Sequence, residues 1–339
     1  MLRGSDWLFV GAAAAFCWIL PRAALAQSRA PMVWPPELPQ DLSREATRYV
    51  FEDSNVVLDL HGSTQDPDLV IFMAGNQYRV IPDLLAAFRG WVKAQPRHRD
   101  ADVARIFYAT TPPGRLIDAM ESGQLVLGNY WIDVRPNKLW PDVFMTGPRQ
   151  QRRLRKANYI AGWSVYARNR GVVLLIRGGN PKGIRGIADL MRDDVRVAIS
   201  SPVREPASYE SYSNTLRAQG GAQFPEQILK KATTISPLSV HHREIPQFIH
   251  DDLADVAPMY YHFGEYLKAR MPGQFDYVAL PEQGNFRDEL AVSLIRNAPH
   301  MAAALAWIDF MRSDAAATIY NRNGFEYADA AERARVQDQ

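Results

Sequence analysis

The stretch that most limits what this chain can become is DLVIFMAGNQYRVIPDLLAAF, residues 68–88. Leu69 to Met73 is a run of five apolar residues, too short for a helix and too continuous for a half-exposed strand, so it reads as a strand buried on both faces. Ala74-Gly75-Asn76 follows as a turn of small and polar residues, and Val80, Ile81, Leu84, Leu85 and Phe88 then recur at helical spacing. A buried strand that passes through such a turn into a helix leaves free backbone N–H groups at its end, where an anion or polar ligand binds; the same pattern also describes an ordinary βα unit.

The first 26 residues stand apart from the fold. Arg3, an apolar run from Trp7 to Leu20 and Ala23-Ala24-Leu25-Ala26 before Gln27 form the pattern of an export signal with a small-residue cleavage site. The run is short for a membrane span. Cys17, the only cysteine, lies inside it, so the mature chain is expected to hold no disulfide, cysteine metal site or thiol nucleophile. Phe16 stands before Cys17 where a lipoprotein signal needs a small residue. Without that segment the charge is close to balanced, and nothing calls for nucleic acid. With 339 residues the chain is long enough for two domains, each with its own core.

Residues 27–65, with Pro31, Pro35, Pro36 and Pro39, read as an extended leader over a domain. From Asp68 strands and helices alternate. A strand over 103–109 runs into Thr110-Thr111-Pro112-Pro113-Gly114, with the threonines expected to cap a helix over 115–122. Residues 129–147 carry no clear pattern. The basic run Arg149 to Lys156 is either a solvated helix face or a docking surface. Ser164 to Arg177 is the longest extended candidate, able to leave one lobe and enter another. Val195 to Ile199, Ser200-Ser201-Pro202 and Pro206-Ala207-Ser208 repeat the strand, turn and helix start of the opening unit. His241-His242-Arg243 opens another helix, Val256 to Tyr261 and Phe275 to Leu280 are strands, and Leu290 to Ile295 alternates as an edge or return strand does. Two helices, 298–312 and 314–323, close the chain.

VIFMAGNQ (70–77), YARNRGVVLLIRGGNPKGIRGIADL (166–190), VRVAISSPVREPASY (195–209) and WIDFMRSDAAATIYNRNGF (307–325) together resemble the class II periplasmic solute-binding proteins of bacterial ABC importers, nearest to the molybdate- and tungstate-binding branch. The resemblance implies an α/β, two-lobed type II periplasmic binding protein, each lobe a mixed sheet flanked by helices, hinged by two crossing segments. Lobe I would span 66–168 and 274–330, and lobe II 169–273. It further implies an interlobe ligand site touched by Gly75, Asn76 and Gln77, by Thr110 and Thr111, by Ser200, Ser201, Ala207 and Ser208, and by Tyr260 or its neighbour Tyr261. Asn76 stands where the family often has a hydroxyl, and Pro113 replaces the serine of its usual Ser-Gly turn. His241, His242 and Arg243 fall at a helix start that contributes a backbone contact; three positive groups there favour an anion in front of them, although one histidine could equally be a packed neutral residue.

The function this implies is capture of a small oxyanion by a periplasmic monomer, with an ABC permease as partner and no cofactor or metal. The same fold also serves sensor subunits that signal to a membrane histidine kinase. An enzyme is not expected: the chain contains no Gly-x-Ser-x-Gly, no His-Glu-x-x-His and no usable thiol.

Overall fold

The computed structural model describes residues 60–338 apart from 63, 128–129, 137, 204, 233 and 236–240. The expected signal segment and nearly all of the 27–65 extension lie outside the described residues. The first half of the chain supplies β1 (Leu60–His61), β2 (Leu69–Met73), helix α1 (Ile81–Lys93), β3 (Ile106–Ala109), α2 (Pro113–Ser122), the hairpin β4 (Gln124–Leu127) and β5 (Tyr130–Asp133), β6 (Val143–Thr146), α3 (Pro148–Lys156) and β7 (Ser164–Arg168).

β2 is buried throughout and pairs in parallel with β3 on one side and β6 on the other, as its unbroken apolar run predicts. β6 comes from the stretch without a clear pattern; its entry is fixed by Asp142, whose fully buried carboxylate accepts from the Val70 and His300 amides at 2.7 and 2.8 Å and from His300 Nδ1 at 2.8 Å. β1 corrects the reading of the leader: its last residues pair antiparallel with β3 as a buried edge strand.

The second half gives β8 (Val172–Arg177), β9 (Ala198–Ile199), α4 (Pro206–Gly220), α5 (Phe224–Lys231), β10 (Thr234–Ile235), α6 (His241–His250), β11 (Val256–Tyr260), α7 (Tyr261–Arg270), β12 (Phe275–Ala279), β13 (Glu289–Leu294), α8 (Met301–Phe310), α9 (Asp314–Arg322) and β14 (Glu326–Tyr327). A seven-stranded sheet runs β1-β3-β2-β6-β13-β7-β14; a second has the order β11-β8-β12, with β9 and β10 paired in parallel beside it. One face of the large sheet packs on α1 and α8 through Phe88, Trp307 and Phe310, and the other on Leu116, Ile117, Leu154 and Trp163. The small sheet has its own core around Leu174, Tyr212 and Phe263.

The long extended run over 164–177 is two strands in different sheets. They part at Asn169-Arg170-Gly171, where Gly171 has φ +88° and an added Cβ would stand 2.6 Å from Asn285 Oδ1. β12 pairs along its length with β8, so the chain leaves the small sheet after Ala279 instead of at residue 274. Two asparagines stitch the crossing segments together. Asn169 Oδ1 accepts from the amides of Gly171 and Asp288 at 3.0 and 3.1 Å. Asn285 accepts from the Val172 amide at 2.7 Å and donates to its carbonyl at 2.9 Å. β13, whose alternation fits an edge or return strand, sits antiparallel between β6 and β7, and Ser293, the polar residue in that alternation, is buried with its hydroxyl on the Phe144 carbonyl.

Candidate functional site

Three helices reach one cavity, and all three start the same way. α2, α3 and α4 carry Pro113, Pro148 and Pro206 in the first turn, and the preceding Pro112, Gly147 and Glu205 make no side-chain cap. Thr110 and Thr111 therefore do not cap α2 as expected; Pro112 takes that position. A proline there gives up an N–H that has no helical partner in any case, while the other first-turn N–H groups stay directed along the axis toward the helix mouth. Each mouth also carries the positive end of its helix dipole.

The cavity in front of them has a volume of about 850 Å³. Gly75 and Asn76 line it from the turn after β2, Gly114 and Arg115 from α2, and Gly147 and Arg149 from the turn into α3. The opposite wall is Ala207, Ser208, Glu210 and Ser211 on α4 and Tyr260 at the end of β11; Asp288 and Glu289, where the chain enters β13 of the large sheet, lie between the walls, Glu289 against Gly147 and Asp288 bonded to Ser211. The two walls thus come from the two sheets' own elements, and the stitched crossing segments lie beside Asp288.

Tyr260 is 4% exposed and its ring lies tilted against that of Tyr212, with centroids 5.0 Å apart. Burial, reinforced by the Asp288 carboxyl, pushes its phenol well above the ordinary range, so it is a neutral hydroxyl that shares hydrogen bonds with Ser211 and Ser208. Ser208 Oγ also donates to Glu205 Oε1 at 2.8 Å. Burial likewise raises the Asp288 carboxyl, opposed by its bonds with Ser211 and Asn169.

The residues expected from the sequence divide. Gly75, Asn76, Ala207, Ser208 and Tyr260 line the cavity together. Gln77 turns away into the core, where its Oε1 accepts from the hydroxyls of Tyr166 and of Tyr320, the latter at 2.8 Å. Thr110 and Thr111 are buried behind the α2 start, at 0% and 1% exposure. Ser200 and Ser201 are also buried; Ser201 shapes the turn into α4, accepting from the Val203 amide on its hydroxyl and from the Glu205 amide on its carbonyl. Tyr261 opens α7 with its ring against Arg170 and Tyr277, away from the cavity. His241, His242 and Arg243 do begin a helix, α6, but their side chains lie outside the described residues.

Other lining residues escape a sequence reading. The basic run over 149–156 does form a helix, yet Arg149 and Arg153 belong to the cavity wall. Arg149 pairs with Glu210 on the opposite wall, and Arg153 with Asp118 at 2.7 Å and Glu121 at 2.9 Å. Nothing local marks Asp288 or Glu210. Next to the cavity, His262 at the start of α7 donates from Nε2 to the Asn76 carbonyl at 3.0 Å, tying the turn after β2 to the second core. Among the described residues no group of three or more His, Cys, Asp or Glu is placed to hold a metal ion, and no helix is long and apolar enough to cross a membrane.

A family model of bacterial extracellular solute-binding proteins matches residues 69–326. No curated protein matches the chain significantly. Among solved structures, the sulfate-binding protein SubI of Mycobacterium tuberculosis H37Rv superimposes with a TM-score of 0.58 at 18% identity, covering 78% of this chain and 88% of that one. The periplasmic molybdate-binding protein of Azotobacter vinelandii gives 0.57 at 15%, covering 77% and 100%. Iron-bound HitA of Pseudomonas aeruginosa gives 0.54 at 14%, covering 78% and 91%. At these identities the likeness is one of fold: a two-lobed type II periplasmic binding protein.

Proposed function

We propose, for a chain that belongs to the bacterial extracellular solute-binding proteins, that it captures a small solute with an anionic head in the cavity between its lobes and delivers it to an ABC permease in the inner membrane. Lobe I is residues 66–168 with the segment after 280, and lobe II is the intervening chain. The anionic head sits on backbone N–H groups at the starts of α2, α3 and α4 and at Gly75-Asn76, with the neutral Tyr260 hydroxyl as a further donor.

The observation that carries this is the convergence of three proline-started helices without side-chain caps on one cavity. A desolvated anion needs a donor at each oxygen, and first-turn N–H groups supply donors together with a favourable dipole. A micromolar Kd corresponds to about 8 kcal/mol, within reach of several charge-assisted bonds of about 1.5–3 kcal/mol each once closure is offset.

The test is a thermal-shift screen of the mature protein against inorganic oxyanions, small carboxylates, sulfonates and phosphonates, followed by titration, since a ligand of the native state raises the midpoint by mass action. A saturable hit is expected. Ala207→Pro deletes one N–H at a first-turn position that tolerates proline and is expected to weaken that hit at least about tenfold. A silent panel, or unchanged affinity in the variant, refutes the reading.

A further inference from the structure

The cavity lining carries charge of both signs. Beside α2 and α3 the lining charges are Arg115, Arg149 and Arg153 against Asp118; at α4 they are Glu205 and Glu210, and at the β13 entry Asp288 and Glu289, with no further lining Lys or Arg among the described residues. The lining therefore holds five acidic and three basic side chains, a net −2. Several of these acids are answered within the protein: Asp118 by Arg153, Glu210 by Arg149 across the cavity, and Glu289 by Arg168 at 3.0 Å. Asp288 has no cationic partner among the described residues; its contacts are Asn169 Nδ2 at 3.1 Å and the Ser211 hydroxyl.

A second, independent feature asks for the same thing. Asn76 Oδ1, at the turn after β2, is a buried acceptor in the lining with no hydrogen-bond partner. A lone acceptor and a carboxylate without a cation, both lining a cavity, are completed by donors that only the solute can bring. A bare four-oxygen anion brings none when fully deprotonated, and it would meet a net negative lining. A simple cation would meet the helix starts and the arginines.

We propose that the solute is a zwitterion: its anionic head lies on the α2 and α3 starts, and an ammonium group a few bonds away lies at Asp288. This rests on the reading of the cavity as the solute site and names the chemical class it takes. Charge of both signs in one ligand matches a lining that holds both, where either sign alone leaves the other unanswered.

The experiment compares matched pairs that differ only in the ammonium, 2-aminoethylphosphonate with ethylphosphonate and 2-aminoethanesulfonate with ethanesulfonate, by calorimetric titration, with sulfate, molybdate and phosphate alongside. In at least one pair the amino member is expected to bind about tenfold tighter or more, a ratio that falls to within about twofold in Asp288→Asn. If the members without ammonium, or the inorganic anions, bind as tightly as the amino compounds, the zwitterion assignment is overturned while the anion site stands. If no compound of any kind binds, the anion site falls and the assignment with it. If the amino preference is intact in Asp288→Asn, the role given to Asp288 is wrong; the wild-type ratio needs no variant, so a folding defect in Asp288→Asn leaves the class assignment testable.

Discussion

Acid should loosen this protein through one residue. The His262 ring is 2% exposed and packed against Phe325, with centroids 4.1 Å apart. Its Nε2 must carry the hydrogen given to the Asn76 carbonyl, which leaves Nδ1 buried with no partner among the described residues. Arg79 donates to the His262 carbonyl at 3.2 Å, so a proton on Nδ1 would find a guanidinium nearby and no acceptor. Burial first, and Arg79 second, push the imidazole down to about 3, from about 6.5 in the unfolded chain. Between those values the unfolded state binds a proton that the native state refuses. The contribution of the neutral ring to stability is thus complete above pH 6.5 and is lost as pH falls toward 3. At 1.36 kcal/mol per unit, a fall from pH 6.5 to 5 costs about 2 kcal/mol. Urea unfolding of wild type and His262→Gln at pH 7, 6 and 5 isolates this, because the remaining histidines titrate in both. The variant should be less stable at pH 7 and lose about 2 kcal/mol less on acidification. Equal losses in the two proteins would refute the account of a neutral, trapped ring.

Gln77→Leu and Asn76→Ala should separate core from site: the first takes their shared acceptor from two buried tyrosine hydroxyls, leaving them only each other at 3.5 Å, and should cost about 1–3 kcal/mol in chemical unfolding without altering solute affinity, while the second should weaken the solute and move stability by about 0.5 kcal/mol or less. Tyr260→Ala should also weaken solute binding in titration, and an unchanged affinity in both Asn76→Ala and Tyr260→Ala would remove the cavity assignment. Asp142→Ala removes the buried carboxylate that joins β6 to β2 and α8, and a loss of about 3 kcal/mol or more is expected by the same measurement. Gly171→Ala forces a side chain into left-handed backbone against Asn285; it should cost about 1–3 kcal/mol and speed hydrogen exchange at the Val172 amide, which Asn285 holds.

What could be read from the chain was whatever a single segment expresses. Leu69–Met73 announces a doubly covered strand because five apolar side chains in a row must alternate between both faces of a sheet. Asn76 and Ala207-Ser208 were legible for a similar reason, since a strand or turn running straight into a helix places its N–H groups by local geometry alone. Gln77 shows the limit of that logic. It shares the turn with Asn76, but residues one apart on a helical turn face different ways, and the buried Tyr166 and Tyr320 hydroxyls claimed its side chain. The alternation of β13 left edge and return strand both open for a related cause: Ser293 mimics an exposed position because its hydroxyl finds a carbonyl inside the sheet. The charged walls are hidden at a deeper level. Arg149 belongs to a run that reads as surface and Asp288 to a loop without a motif, and neither acquires meaning until the crossing segments bring the β13 entry between the α3 start and α4. A backbone anion site can be encoded locally, by prolines and small residues at helix starts. Its specificity is carried by side chains from segments more than a hundred residues apart, so the class of solute is a property of the folded cavity.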